Sequence, residues 1–289
     1  MTPAAALALL ATVAAPATAQ LAPAVAAPTA QVDPAAATFR MTGPVMQGGL
    51  IVVHAPRDAV SVTLDGKALP LAPDGLFVVG FDRDAGPQAM LAAVLADGRQ
   101  VTRALAVAPR AWRIERLDTL PRFPAPDPVM AQLRPAELAR IVAARALSTD
   151  AQGWRQPFVW PATGRISGLF GAQRIYRGEP GAYHSGTDIA RPTGSPVVAP
   201  ADGVVILAAD HPFTLEGNLL MIDHGDGLNS AFLHLSRIDV KVGDHVRQGQ
   251  TVGAVGATGR ATGPHLHWSL RWRDARLDPM LLAGAMPAQ

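Results

Sequence analysis

VGDHVRQGQTVGAVGATGRATGPHLHW, residues 242–268, decides how the second half of this chain folds. Gly243, Gly249, Gly253, Gly256, Gly259 and Gly263 recur every few residues, with β-favouring pieces such as TVGAVG between them. Glycine accepts the positive φ that tight turns demand, so this punctuation predicts short strands joined by turns rather than helices. Gly263-Pro264 then suits entry into a strand, and His265 and His267 stand two apart. On a strand that spacing points both imidazoles to one face and Leu266 to the other. Taken alone, H-x-H also fits a pair of half-exposed strand histidines.

From Phe158 to about Leu282 the same punctuation continues, with Gly168, Gly186, Asp202-Gly203 and Asp226-Gly227 separating runs such as VVILAA, LLMIDH and SAFLHL. A compact antiparallel β domain over residues 151–284 is the natural reading. Upstream, apolar runs at 50–53, 60–64, 76–81, 90–95 and 101–107 read as strands, and Asp65-Gly66, Asp74-Gly75 and Asp97-Gly98 as hairpin dipeptides. Residues 38–110 are therefore expected to form a small immunoglobulin-like β-sandwich with a structural or targeting role. Its one histidine, His54, has no obvious partner in the sequence. The chain as a whole is expected to be mainly β.

Between these regions, residues 111–150 are expected to be a connector with a short helix. Pro109, Pro121, Pro124, Pro126 and Pro128 suggest extended chain, and Pro135 suits the first turn of the helix in PAELARIVAARAL. Leu138, Ile141 and Val142 would share one face, although a plain spacer is the simpler expectation. The amino terminus, MTPAAALALLATVAAPATAQ, has an apolar stretch and the small-x-small triplet Ala17-Thr18-Ala19. Residues 1–19 thus read as a signal peptide cleaved after Ala19, although no positive residue precedes the apolar stretch. Residues 20–37 follow as an Ala/Pro-rich linker. The apolar stretch is too short to span a membrane and Pro16 follows it, so the mature chain is expected to be exported, periplasmic and without a transmembrane segment.

Composition narrows the function classes. The 289 residues are 49% hydrophobic and 17% charged, with a net charge of +2, and Lys67 and Lys241 are the only lysines. No basic run exists, so nucleic acid is not an expected partner. Cysteine is absent, which excludes a disulfide framework, a lipid-anchored cysteine and a thiolate zinc site.

The chemistry gathers in the last third. Seven of the eight histidines lie after residue 180. His184 and Asp188 occur in YHSGTDIA, where Gly186 and the nearby Pro192 argue against a helix and for a loop entering a strand. His234 lies in SAFLHL, where Ser230, Phe232 and His234 alternate with Ala231, Leu233 and Leu235. A histidine on so apolar a strand needs a partner or a cleft. Imidazole and carboxylate form a standard zinc set, and two further histidines could move protons, so a zinc hydrolase is the first hypothesis. His224 precedes a Gly-Asp-Gly turn and reads as hairpin support, and His211 and His245 as exposed loop residues.

Each signal is weak alone, but their order is not. H-x-G-x-D, a glycine-punctuated β core, H-L-S, G-P-H-L-H-W and a closing LDP follow one another as in the LytM/lysostaphin-type zinc metallopeptidases that cut peptidoglycan cross-bridges. The sequence resembles that family over roughly residues 160–282, including PVVAPADGVVI and IDHGDGL. The resemblance implies the family's duplicated hybrid motif fold, Zn²⁺ as cofactor and peptidoglycan stem peptides as substrate. It implies His184, Asp188 and His267 as metal ligands, with His234 and His265 as unliganded catalytic histidines. In that scheme His265 could accept a proton from a metal-activated water and His234 could bind the oxyanion, though spacing does not decide between them. FGAQRIYRGEP ahead of His184 resembles Gram-negative envelope versions, which favours direct D,D cross-links and envelope proteins as regulators. Two departures bear on substrate preference. LEGN, ending in Asn218, lacks the tyrosine of the common G-Y-G-N, and Phe232 stands where a tyrosine is usual.

Two other classes compete. Some relatives have lost zinc ligands and activate cell-wall amidases instead, but all five residues are present here. A biotinyl- or lipoyl-type carrier would need a modifiable lysine at a hairpin tip, and Lys241 opens its run instead.

Overall fold

The computed structural model describes residues 38–119 and 128–287. The calls for a signal peptide, an Ala/Pro-rich linker and the connector prolines 121–126 lie outside the described residues. In the first described part, β1 (Arg40–Thr42), β2 (Leu50–His54), β3 (Ala59–Leu64), β4 (Lys67–Leu69), β5 (Leu76–Gly80), β6 (Gln88–Leu95) and β7 (Gln100–Ala106) form two antiparallel sheets. Their orders are β1-β2-β5 and β4-β3-β6-β7. Ile51, Val53, Phe77 and Val79 of one sheet meet Val62, Leu91, Ala93 and Leu105 of the other in a shared core. Alternation explains which residues enter it, because strand side chains point to opposite faces in turn. Strand β5 breaks the alternation: Phe77, Val78, Val79 and Gly80 are all buried. Its second face packs on the rest of the molecule, where Val78 joins the larger core and Val78 N–H donates to Asp226 Oδ2 at 3.0 Å.

Strand β8 (Ile114–Leu117) follows, and helix α1 spans Pro128–Ala146. Here the structure corrects the sequence reading. Pro128 opens the helix and Pro135 lies inside it, where a proline typically costs about 3 kcal/mol through its missing N–H and ring clash. Strong tertiary anchors offset that cost. Glu137 accepts from Thr214 N–H and Oγ1–H, both at 2.6 Å, and Arg134 grips Glu216. The buried face is Glu137, Ile141 and Ala144, at the i, i+4, i+7 spacing of a helix stripe. Leu138 and Val142 point outward instead of sharing that face. Nor is α1 a spacer, because Ile141 and Ala144 pack with Ile206, Leu219, Met221 and Ala231 of the main sheet.

The remaining strands are β9 (Arg165–Gly168), β10 (Gln173–Tyr176), β11 (Glu179–Pro180), β12 (Thr187–Ala190), β13 (Pro196–Val198), β14 (Gly203–Ala208) and β15 (Asn218–Asp223). They continue through β16 (Leu228–Leu235), β17 (Arg237–Ile238), β18 (His245–Val246), β19 (Thr251–Ala254), β20 (His265–Trp272) and β21 (Ala275–Leu277), and α2 (Pro279–Ala283) closes the described chain. The main sheet runs β18-β14-β15-β16-β20-β12-β9, with β21 pairing β20. A small β13-β19-β17 sheet adds Val197 and Val252 to the core that also takes Phe232, Leu266 and Trp268 from the main sheet. β8 pairs in parallel with β10, so the connector joins the β11-β10 hairpin. No described helix is long and apolar enough to cross a membrane.

Candidate metal centre and active site

The site forms where β12, β20 and β16 lie side by side. In the β12–β20 pair, Asp188 stands directly opposite His267 and Ala190 opposite His265. Such cross-strand partners have Cβ atoms about 4.5–5.5 Å apart, close enough for Asp188 Oδ1 to reach His267 Nδ1 at 2.9 Å. Leu266 enters the core, while His265 and His267 take the opposite face. His184 lies on the loop ahead of β12. Its main-chain N–H donates to Ala172 O, and its carbonyl accepts from Gly171 N–H, both at 2.8 Å. Its ring sits 3.1 Å from the Leu169 carbonyl through Nδ1. Nε2 then faces Asp188 Oδ1 at 3.1 Å and His267 Nδ1 at 3.0 Å.

Two glycines wall these side chains in. A Cβ on Gly168 would lie 2.2 Å from Asp188 Oδ2, and one on Gly186 would lie 2.7 Å from His267 Nε2. Any larger residue would push Asp188 or His267 aside.

The donor set can be tested against a metal by counting hydrogens. With its Nδ1 hydrogen on Leu169 O, neutral His184 turns a lone pair inward. A carboxylate oxygen and one His267 nitrogen complete the trio, so at most one hydrogen lies among three acceptors. A cation balances such a set, and two imidazoles with one carboxylate leave a position open, the pattern of catalytic zinc. Donors about 2.0–2.2 Å from a tetrahedral centre stand roughly 3.3–3.6 Å apart, near the 2.9, 3.1 and 3.0 Å separations found here. The residues therefore fit a zinc ion. Electrostatics agree on the carboxylate: burial opposes its charge, but His184 and His267 outweigh burial and hold Asp188 far below the usual carboxylate range. Burial also opposes charge on His184, where Asp188 prevails and raises its pKa, whereas burial prevails at His267 and lowers it.

His234 and His265 complete the cluster, their ring centroids 4.8 Å apart and His234 6.3 Å from His267. Strict alternation along β16 would put His234 in the core beside Phe232. Instead, between Leu220↔Phe232 and Asn218↔Leu235 the pairing advances two residues on β15 and three on β16. The extra residue is a bulge, and His234 has a φ of 64°. Phe232 and Leu235 thus both enter the core while His234 turns to the face of His265 and His267. A left-handed non-glycine residue costs roughly 1–2 kcal/mol. Two contacts hold it: His234 N–H donates to Glu216 O at 2.8 Å, and Nδ1 meets Thr258 O at 2.8 Å. Burial pushes the His234 pKa down to about 4, helped by the neighbouring histidines. His265 Nδ1 similarly meets Gly263 O at 2.8 Å, leaving Nε2 3.9 Å from Asp188 Oδ1.

The structure brings all five of these side chains together, and their supports carry no signal in the sequence. Leu169, Gly263 and Thr258 act through carbonyls, which carry no side-chain signal. Asn218 braces Leu235 and Thr258: its side-chain N–H donates to Leu235 O, and its main-chain N–H donates to Thr258 Oγ1, both at 2.9 Å. His224 is fully buried against Asp202 O and Ser230 Oγ, and His211 and His245 are exposed.

An antiparallel β core thus brings three convergent donors beside two further histidines. Residues 182–279 match the model of peptidase family M23. A Pseudomonas aeruginosa protein whose crystal structure is assigned to peptidase M23 is 31% identical, with a TM-score of 0.63, over 84% of this chain and 96% of that one. The chain belongs to peptidase family M23. Among curated relatives, peptidoglycan DD-endopeptidase ShyA of Vibrio cholerae is 44% identical over 117 residues, 40% of this chain and 27% of that protein. DD-carboxypeptidase/endopeptidase Mpg of Neisseria meningitidis is 39% identical over 127 residues, 43% of this chain and 28% of that protein. The chain thus spans little more than a quarter of these curated relatives.

Proposed function

We propose that this chain is an exported, periplasmic zinc endopeptidase that hydrolyses peptide cross-links of bacterial peptidoglycan. The observation that carries this reading is the convergence of His184, Asp188 and His267 within 3.1 Å of one another, beside two unliganded histidines. The activities named for the Vibrio and Neisseria relatives support D,D cross-links as the substrate class. In this reading residues 151–284 form the catalytic domain and 38–110 a sandwich that positions it.

His184, Asp188 and His267 would hold the ion, which supplies Lewis acidity: it lowers the pKa of bound water toward about 7 and polarises the scissile carbonyl. The remaining roles belong to the protein. With its Nδ1 hydrogen on Thr258 O and its ring kept neutral by burial, His234 offers a lone pair at Nε2 and acts as the proton acceptor. His265, with Nδ1 on Gly263 O and Nε2 3.9 Å from Asp188 Oδ1, is left to donate toward the oxyanion. This division reverses the one first considered from the sequence. Overall the C–N bond breaks, water's oxygen joins the carbonyl carbon and the amine leaves with a proton. The amidase-activator alternative depends on missing ligands, and none of the five is missing.

Digestion of purified peptidoglycan, read by mass spectrometry of the muropeptides, tests the proposal. Cross-linked dimers should fall to monomers with the unmutated chain and persist with His184→Ala. Equal survival of dimers in both, with the unmutated chain folded and zinc-loaded, would sink it.

A further inference from the structure

Arg83 belongs to the loop between β5 and β6, on the N-terminal sandwich, yet its side chain is buried against the segment that supports His184. Its Nε–H donates to Gly171 O at 3.1 Å, and Nη2–H to Gln173 Oε1 at 3.0 Å. The guanidinium also lies over the Trp112 ring at 5.4 Å and the Tyr183 ring at 4.6 Å. Trp112 fills the space a side chain at Gly171 would need, so this stretch is fixed from two sides.

That stretch is what orients the ligand. Leu169 supplies the carbonyl opposite His184 Nδ1, and Gly171 and Ala172 exchange main-chain hydrogen bonds with His184. The neighbouring Asp82 grips the other flank: Oδ1 accepts from Tyr183 O–H at 3.3 Å, and Oδ2 from Arg276 N–H at 2.8 Å. One short segment of the sandwich therefore holds both the residue before His184 and the carbonyls around it.

We propose that Arg83 is a positioning residue of the metal centre, fixing residues 169–173 so that His184 Nε2 faces Asp188 and His267. The proposal rests on the metal-site reading above. Its competitor is simple adhesion between layers, in which Arg83 contributes packing and nothing else. The two differ in what they do to metal affinity. Groups that orient metal ligands typically change affinity by about 10–100-fold when removed, whereas adhesion alters stability and leaves the affinity of the folded protein unchanged. The planar guanidinium serves three acceptors, Gly171 O, Gln173 Oε1 and Asp84 Oδ1, and two rings together, which lysine's compact ammonium does not.

The test uses the full chain, stripped of metal and titrated with zinc against a chelating indicator, with the absorption spectrum of the Co²⁺-loaded form as a second readout. Arg83→Met keeps bulk over the rings and removes all three donations, those to Gly171 and Gln173 included, so zinc affinity should fall about tenfold and the cobalt bands should shift. Arg83→Lys should fall between Arg83→Met and the unmutated chain. Gln173→Leu, which leaves Arg83 in place but removes one of its acceptors, provides a milder variant if Arg83→Met does not fold, and should weaken zinc by roughly twofold to fivefold. Folded variants with unchanged affinity and spectrum would reduce Arg83 to adhesion. If the unmutated chain and His184→Ala bind zinc alike, the metal-site reading itself falls, a failure distinct from the first.

Discussion

Two buried histidines, His224 ahead of β16 and His234 near its end, share one electrostatic signature and differ in everything else. Burial lowers both pKa values to about 4. At His224 both ring nitrogens are engaged, Nδ1 with Asp202 O and Nε2 with Ser230 Oγ, each at 2.8 Å. His234 engages Nδ1 with Thr258 O and turns toward two other histidines on a left-handed backbone. A shifted pKa thus marks burial. What separates a structural histidine from a candidate reactive one is the second nitrogen and the backbone cost of aiming it.

The sharpest way to break this contrast is to remove each ring. His234→Ala should lower the cleavage rate by about 10²–10⁴, with zinc content unchanged by elemental analysis and little change in melting temperature. Loss of stability without loss of rate would make His234 another His224. His224→Phe should do the opposite, destabilising the fold by about 2–4 kcal/mol in urea titrations because the Asp202 carbonyl loses the imidazole and Ser230 Oγ keeps only Trp268 Nε1–H. Cleavage per folded molecule should stay within a few-fold.

The smallest effect is the pH dependence of stability. His224 has a folded pKa of about 4 against an ordinary 6.5, so the unfolded chain binds the proton first as pH falls. Its contribution is complete above about pH 6.5 and is lost on the way down through pH 4, with about 2 kcal/mol gone by pH 5. Asp226 works in the other direction: burial raises its pKa to about 6, so the cost of its buried charge is relieved as pH falls below that value. Urea titrations at pH 7 and pH 5, comparing the unmutated chain with His224→Phe, isolate the histidine. An identical acid slope in both proteins would remove His224 from the account.

The sequence carried what depends on local periodicity. H-x-H on a strand, the Asp-Gly hairpins and five of the seven N-terminal strands follow from alternation and turn chemistry, and the antiparallel β core from glycine spacing. What it hid is set by partners far along the chain. The buried stripe of α1 centres on Glu137, a charged residue that only Thr214 and Arg134 make comfortable inside. The phase slip that frees His234 depends on pairing with β15, and strict alternation pointed it into the core. The role of Arg83 carries no sequence signal, because nothing near it in the chain shows Gly171 and Gln173 across the fold.

Gly168 and Gly186 carry a last consequence. Main chain has no rotamers, so Asp188 and His267, pressed against it, lose their freedom when the chain folds. Preorganisation of the centre and stability of β9, β12 and β20 are therefore one quantity, and any looseness in those strands reaches the chemistry directly.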